Sequence, residues 1–429
     1  MISVVVSRED QASLTIRDAL LDAADWTRHE PRGPWEREWT YGGADEGFVM
    51  VEKDGLHLYY DGVDDALRDA FNVSLVVFVS RHSGDTGPLL TAHHTGNFDG
   101  AEYGGEPRSL AAPAPSATKH LLRFFDTNAP DGFDACIEAT HHGPSELETS
   151  SVFAEIGSGP DEWERDDAAR TVADGVLSLG ERDEPRTTVV GVGGGHYAPR
   201  FTRIALETDA AVGHIVADYD LPVDDELLHE AYESSEADAV VLDGNATEST
   251  VDFPAVSETR LRERAGVPKE TVEAVEDALD AQAGEAHLTE RAEKEGVDTA
   301  NAASFDAALV REARNVDADK TDEALERHAL GYVEENGRVE NVAVPAGEAR
   351  ELAEALAEIL RREHGVTVDD RRVVVEREVF DADAARELGV EEGPDFGRLS
   401  AGETVETDDG KVRPQDVHET EHHVFVYDA

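Results

Sequence analysis

The residues best equipped for chemistry are histidines, set in short groups beside glycines and carboxylates. His93-His94 runs into Thr95-Gly96-Asn97, Glu138-Ala139-Thr140 into His141-His142-Gly143-Pro144, and Gly193-Gly194-Gly195 into His196-Tyr197. Arg81-His82-Ser83-Gly84, Glu155-Ile156-Gly157-Ser158 and Gly213-His214 complete the set. Neutral imidazoles with one or two carboxylates are the donors a zinc ion prefers, with one position left open for water. Adjacent residues on extended backbone point to opposite sides, so one histidine of each pair would face such a centre and the other a substrate or supporting contact. The same groups suit general-base hydrolysis without an ion, and a lone histidine at a strand end also serves as a plain polar cap. Other chemistries are poorly provided for. There is no Gly-x-Ser-x-Gly elbow, and the triglycine run lacks both the P-loop Lys-Ser/Thr and the GxGxxG spacing. Cys136, the single cysteine, lies within an apolar run and reads as core, which excludes disulfides within the chain, Cys₄ zinc sites and iron–sulfur clusters.

Short apolar runs must position these groups. Runs at 2–6, 48–51, 56–60, 73–79, 89–92, 135–139, 152–156, 187–192, 212–217 and 239–242 read as strands, and amphipathic stretches at 8–22, 116–125, 162–179 and 224–234 as helices. Continuous apolar runs separated by helices predict an α/β fold: a mixed, mostly parallel sheet with helices on both faces. The carboxyl ends of parallel strands share one edge, where such folds bind ligands, so five of the six groups converge there. Gly213-His214 opens its run and joins them only if that strand is antiparallel. Residues 100–115, rich in Gly, Pro and Ala, form a long loop. Past residue 265 the pattern changes to exposed helices at 267–283 and 321–330, an amphipathic helix at 346–364, a strand at 372–380, a short helix at 382–388 and an acidic, turn-rich end. The expected domains are 1–265, carrying the chemistry, and 266–429, an acidic α+β extension.

The 429 residues carry 95 Asp+Glu against 38 Lys+Arg, a formal net charge of −57. The excess is spread evenly, about −32 over 1–265 and about −25 over 266–429, and only six cations are lysines. A uniform excess, unlike an acidic tail, is the signature of a surface solvated for concentrated salt, as in halophiles. It does not exclude nucleic acid, because the Debye length in molar salt is only about 3 Å and a local Arg cluster still meets phosphate. No apolar run approaches membrane length, and Met1 leads straight into the run at 2–6 with no basic leader. The expectation is a cytoplasmic chain with no membrane contact and no obligate protein partner.

Taken together, the motifs resemble the archaeal-type D-aminoacyl-tRNA deacylases, a family also found in plants. The likeness rests on Ser7-Arg8-Glu9-Asp10-Gln11-Ala12-Ser13, Ser80-Arg81-His82, residues 91–97, Ala117-Thr118-Lys119, residues 138–144 and 155–158, Gly193 to Phe201, and Gly213-His214. The resemblance implies a phosphorylase/hydrolase-like fold, two zinc ions per subunit and hydrolysis of the ester of D-aminoacyl-tRNA. On that footing His93, His141, His142, Glu155 and His196 are the candidate ligands. Glu138 or His94 is the general base, and the N–H groups of Gly193, Gly194 and Gly195 form the oxyanion hole. Lys119, Arg123, Arg200 and Arg203 are the candidate contacts to phosphates of the tRNA 3′ end. The competing readings are a zinc exopeptidase or nucleoside phosphorylase on a similar sheet, and a tRNA-binding module without catalysis. In the extension, 388–399 with 409–412 and 414–417 is similar to a segment of tRNase Z-type nucleases.

Overall fold

The computed structural model describes residues 1–43, 47–247, 251–281, 285–292, 302–335, 337–369, 371–407 and 410–427; Asp409 of the nuclease-like segment lies outside them. The chain divides into two compact units, Met1–Lys269 and Glu270–Ala429, against an expected boundary after residue 265. Among the described residues no helix is long and apolar enough to cross a membrane.

The first unit follows the expected α/β plan. Its elements are β1 (Ile2–Ser7), α1 (Gln11–Ala23), β2 (Thr27–His29), β3 (Arg37–Tyr41), β4 (Phe48–Lys53), α2 (Val63–Ala70), β5 (Leu75–Arg81), β6 (Leu89–His93), β7 (Gly96–Asn97), β8 (Ser109–Leu110), α3 (Pro115–Asn128), β9 (Asp134–Ile137), β10 (Ser151–Gly157), α4 (Pro160–Trp163), α5 (Asp166–Leu177), β11 (Thr187–Val192), α6 (Pro199–Glu207), β12 (Ala210–Val216), α7 (Asp225–Ser234), β13 (Ala239–Leu242) and α8 (Glu258–Glu263). Eight strands form one sheet in the order β2-β3-β4-β1-β5-β10-β6-β9, with β4, β1, β5 and β10 parallel. Three more, β12-β11-β13, form a second, wholly parallel sheet. Helices cover both faces of the large sheet because its central strands are apolar on both sides. Val4, Val77 and Ala154 pack towards α1, α3 and α5, while Val5, Phe78 and Phe153 pack towards α2. α3 joins the two sheets: Leu121 and Phe125 enter the first core and Leu122 the core of the second sheet. Truncating a fully buried residue such as Phe125 to Ala would cost about 3–5 kcal/mol.

Four local expectations are corrected. Residues 56–60 carry a strand-like pattern, but His57–Tyr59 is a 3₁₀ turn, whose inward-facing His57 bonds the Val5 carbonyl at 3.1 Å. The single helix expected over 162–179 is broken at Arg165, whose extended backbone caps α5. β12 is parallel to β11, so Gly213-His214 lies at the wrong place to converge with the other groups. β2 and β3 were not anticipated, because their outward-facing residues are polar.

The second unit has its own core. α9 (Lys269–Leu279), β14 (His287–Leu288), β15 (Ala302–Phe305), α10 (Ala307–Val316), α11 (Ala318–His328), β16 (Gly331–Glu335), β17 (Arg338–Pro345) and α12 (Ala349–Leu360) build a four-stranded sheet, β14-β16-β17-β15, with helices. β18 (Gly365–Asp369), β19 (Arg372–Phe380), α13 (Ala382–Glu387), α14 (Pro394–Ser400), β20 (Val405–Thr407), β21 (Gly410–Val412) and β22 (His418–Val426) follow, with β18-β19-β22 paired antiparallel. Leu352, Leu356 and Leu360 of α12 fill the core under Val310, Val342 and Val373.

Candidate active site

The site forms where strands of opposite direction meet. β5 ends at Arg81 and delivers His82, and β10 carries Glu155 opposite Ser80. β6 runs antiparallel to β10 and is only five residues long, so its last residue, His93, arrives opposite Phe153, two residues before Glu155. A common carboxyl edge therefore does not bring the groups together; the short antiparallel β6 does. Leaving β9, the chain crosses to the second sheet. Ala139 N–H donates to the His196 carbonyl at 2.8 Å, Thr140 N–H to Ile215 at 3.0 Å, and Gly96 N–H to His142 at 2.8 Å. His142 is held there at φ 46°, a left-handed conformation that costs of order 1 kcal/mol outside glycine and collects at functional sites.

The result is a knot of imidazoles around two carboxylates. Ring centroids of His141 lie 4.5 Å from His93, 4.3 Å from His142 and 4.5 Å from His196. Three donor groups have their atoms within 4.8 Å of one another: His93, His141 and His142; Glu138, His141 and His196; and His82, Glu138 and Glu155. Backbone carbonyls fix the tautomers of the first group. Nδ1 of His93 meets the His94 carbonyl at 3.1 Å, that of His141 the Ala139 carbonyl at 2.8 Å, and that of His142 the Gly143 carbonyl at 2.7 Å. A carbonyl only accepts, so each neutral ring carries its proton on Nδ1 and presents a bare Nε2, the arrangement a metal-ligating histidine needs.

The carboxylates complete the donor set. Glu138 Oε2 accepts from His196 Nε2 at 3.0 Å and lies 3.3 Å from His82 Nδ1. Glu155 accepts from the Ser80 hydroxyl and lies 3.6 Å from His93 Nε2. His93 Nε2 and Glu138 Oε1 are buried with no hydrogen-bond partner. Each such atom costs about 1–3 kcal/mol, a penalty a bound cation would remove, so the residues present fit a metal ion. Burial, followed by the neighbouring imidazoles, drives His141 well below the ordinary histidine pKa and, with His93, takes His142 down to about 3. Burial opposes the Glu138 charge, but hydrogen bonds from His196 and His82 outweigh it and hold the carboxyl well below its usual range. Burial also opposes protonation of His82 and His93, and there Glu138 and Glu155 prevail and raise both. A cavity of about 550 Å³ opens over the knot, walled by His82, His141, Glu155, His196, Phe153 and Tyr197.

The structure thus gathers His93, Glu138, His141, His142, Glu155 and His196. It places the other expected residues elsewhere or occupies them. Both nitrogens of buried His94 are taken, Nδ1 by the Gly213 carbonyl at 3.0 Å and Nε2 by the Thr118 hydroxyl at 2.8 Å, which leaves no atom free to act as base. His214 is likewise spent on Thr140 and the Ala111 carbonyl. In the triglycine loop, Gly193 N–H donates to the Val216 carbonyl and Gly194 N–H to Asp218, so among the described residues only Gly195 keeps an uncommitted N–H. Gly193 and Gly194 lie at φ 94° and 87°, conformations that need glycine. Lys119 is buried and gives its ammonium to the Thr208 and Ala210 carbonyls at 2.7 and 2.6 Å, and Arg123 also binds the Thr208 carbonyl. Both thereby tie down the carboxyl end of α6, as helix termini favour. Arg200 donates to the Leu242 carbonyl at 2.9 Å and forms an ion pair with Asp243, and Arg203 grips Glu258. Lys119 and Arg123 are thus spent on interior carbonyls, whereas Arg200 and Arg203 are held by acidic side chains and stay partly exposed.

Sequence reading did not rank His82 among the ligands, although the Arg81-His82 step off a fully apolar strand was a signal for it. Tyr197, whose hydroxyl lies 3.3 Å from His82 Nε2, and Tyr219, 3.0 Å from His196 Nδ1, gave no such signal.

Sheet, knot and cavity define an α/β protein with a metal-type donor pocket at the meeting of its strands. The chain belongs to the D-aminoacyl-tRNA deacylase family. The family profile matches residues 70–258. Relatives named D-aminoacyl-tRNA deacylase align far beyond it: that of Natronomonas pharaonis is 41% identical over 100% of both chains, and that of Methanoregula boonei 32% identical over 97% of this chain and 96% of its own. A solved structure of a conserved protein of unknown function is 32% identical, with a TM-score of 0.57 over 62% of this chain and 98% of its own.

Proposed function

We propose that this chain hydrolyses the ester bond of D-aminoacyl-tRNA, releasing the D-amino acid and free tRNA. The observation that carries the chemistry is the trio His93, His141 and His142, with Nδ1 tied to backbone and Nε2 bare, beside Glu138 and Glu155 in a cavity of about 550 Å³. Membership of the family supplies the substrate class. Two zinc ions fit the donors, one at His93, His141 and His142 and the other at His82, Glu138 and Glu155. Zinc, when bound, lowers the pKa of water from 15.7 towards about 7 and polarises a carbonyl.

The chain's own residues do the rest. Glu138 Oε2 holds the Nε2–H of His196 and leaves Nδ1 with the lone pair, which meets the Tyr219 hydroxyl. When the attacking water displaces the exposed Tyr219 hydroxyl, Nδ1 takes its proton and returns it to the ribose oxygen as the ester C–O bond breaks. Gly195 N–H is the triglycine donor left for the developing oxyanion. Phe153 and Tyr197 wall the acyl pocket, which rejects the L-enantiomer by clash.

The test is release of D-tyrosine from D-tyrosyl-tRNA in concentrated KCl, with L-tyrosyl-tRNA as the control, before and after chelation and zinc replacement. Selective release that chelation abolishes and zinc restores is expected. Equal rates on both enantiomers would refute the substrate, and indifference to chelation would refute the metal.

A further inference from the structure

The second unit, for which the site described above has no use, contains an anomaly of charge. Between α11 and α12 lies a groove of about 530 Å³. It is walled by Lys320 and Arg327 from α11 and by Arg361 and Arg362 just past the end of α12, with His328 beside them; Glu323 and Glu358 are its acidic members. The wall is therefore net positive, in a chain whose formal charge is −57 and which holds only six lysines.

The cations in the groove are not equivalent. Arg361 pairs with Glu358 at 2.8 Å, and Arg362 pairs with Asp317, which also caps α11. These two guanidinia are fixed in place. Lys320 and Arg327 are exposed and, among the described residues, form no close ion pair, although the charge of Lys320 is felt by Asp317. Nearly every other described cation of this unit is paired: Arg291, Arg311, Arg314, Arg377, Arg386 and Arg398 all have acidic partners. With acidic side chains in such excess, two neighbouring cations left unpaired in one concave wall are the exception. Lys320 and Arg327 stand seven residues apart on one helix, so they project from the same face about two turns, roughly 10 Å, apart, a span that reaches more than one phosphate of a nucleic-acid backbone. The groove has no Phe, Tyr or Trp in its wall and only the imidazole of His328, so it suits sequence-independent backbone contact more than base stacking.

We infer that this groove of the second unit is a docking site for the phosphate backbone of tRNA, with Lys320 and Arg327 as the phosphate contacts and Arg361 and Arg362 as their pre-positioned flank. The inference rests on tRNA being the substrate carrier, as proposed above. It assigns the second unit the task of holding the body of a substrate whose acyl end is processed by the first. Local placement matters more than net charge here, because screening in molar salt confines each interaction to about 3 Å.

The test measures binding and turnover separately, in the full-length protein. Binding of fluorescently labelled, uncharged tRNA is followed by anisotropy over a KCl series, for the wild type, Lys320→Gln with Arg327→Gln, and Glu323→Lys. A fourth variant, Arg338→Gln with Arg372→Gln, removes equal charge elsewhere in the unit. The groove double variant should bind tRNA roughly tenfold more weakly with a log–log salt slope lower by about 2, Glu323→Lys should bind more tightly, and the control should match wild type. In turnover, the groove variant should raise KM for D-tyrosyl-tRNA by the same factor with kcat unchanged, and leave hydrolysis of a short D-tyrosyl 3′-end oligonucleotide untouched. Inorganic phosphate and free nucleotide are competitor arms; displacement of tRNA by either at micromolar concentration would assign the groove to a small anion instead and overturn the inference. Equal losses in groove and control variants, or no change in either, would overturn it too. Because the anisotropy needs no catalysis, a failure of the proposed reaction is distinguishable from a failure of the groove.

Discussion

His196→Ala separates a working histidine from a structural one. The side chain is 30% exposed and gives one hydrogen bond to Glu138, 3.0 Å from Nε2 to Oε2, while its Nδ1 meets Tyr219. Its backbone carbonyl, which accepts from Ala139 N–H at 2.8 Å, survives the substitution. Glu138 Oε2 also keeps His82 Nδ1 at 3.3 Å, so the carboxylate is not stripped of partners. The stability loss is therefore that of one partly solvated bond to a charged group, about 1–2 kcal/mol, or a few degrees in Tm for a unit of this size. Activity should fall much further, by about 10²–10⁴-fold in kcat, because in the proposed reaction Nδ1 is the atom that carries the proton. The assay pairs a melting curve in 3 M KCl with single-turnover release of D-tyrosine from D-tyrosyl-tRNA. A folded His196→Ala protein within threefold of wild-type turnover would refute the reasoning and return the proton to another residue. Zinc content, measured on the same sample, should hold if His93, His141 and His142 are the ligands.

Gly157→Ala tests the tightness of the same knot from the other side. A Cβ there would lie 2.5 Å from Cδ2 of His82, so His82 must leave Glu138 and Glu155. A stability loss of about 1–3 kcal/mol with weakened metal retention is expected, and unchanged calorimetry would contradict the packing. Acid should destabilise the first unit in a defined window. Burial takes His57 down to about 4 and His214 to about 3, so the folded state binds fewer protons than the unfolded one below about 6.5. The contribution of these two histidines should be full above pH 6.5 and fall as pH drops towards 3, opposed by His82 and His93, whose raised pKa values give stability that is lost as pH rises; a denaturation midpoint level from pH 7.5 to 4.5 at constant KCl would refute the dominance of the buried pair. Removing salt should destabilise the whole chain, since a net charge of −57 repels itself once screening is lost, and a Tm equal at 0.1 M and 3 M KCl would refute the solvation reading.

Much of this protein was legible in its residues. The runs at 187–192 and 239–242 match β11 and β13, because a strand buried on both faces must be apolar throughout and so announces itself, and the run at 372–380 matches β19, where only alternate residues such as Val373 and Val375 are buried. Glu138, His141, His142, Glu155 and His196 could be named as a set because imidazole and carboxylate beside glycine at strand ends have few other uses. What the residue order did not contain was direction and distance. That β6 runs antiparallel and stops at His93 is a matter of strand pairing, settled by which apolar faces fit together, and it alone brings His93 beside His141. The fates of His94, Lys119 and Arg123 were also hidden: each has the right chemistry, but its partners, Gly213 for His94 and Thr208 for the two cations, are more than eighty residues away. Side-chain type is written in the sequence. Whether a polar atom meets substrate or an interior carbonyl depends on long-range packing, because burial forces every such atom to find a partner wherever the fold supplies one.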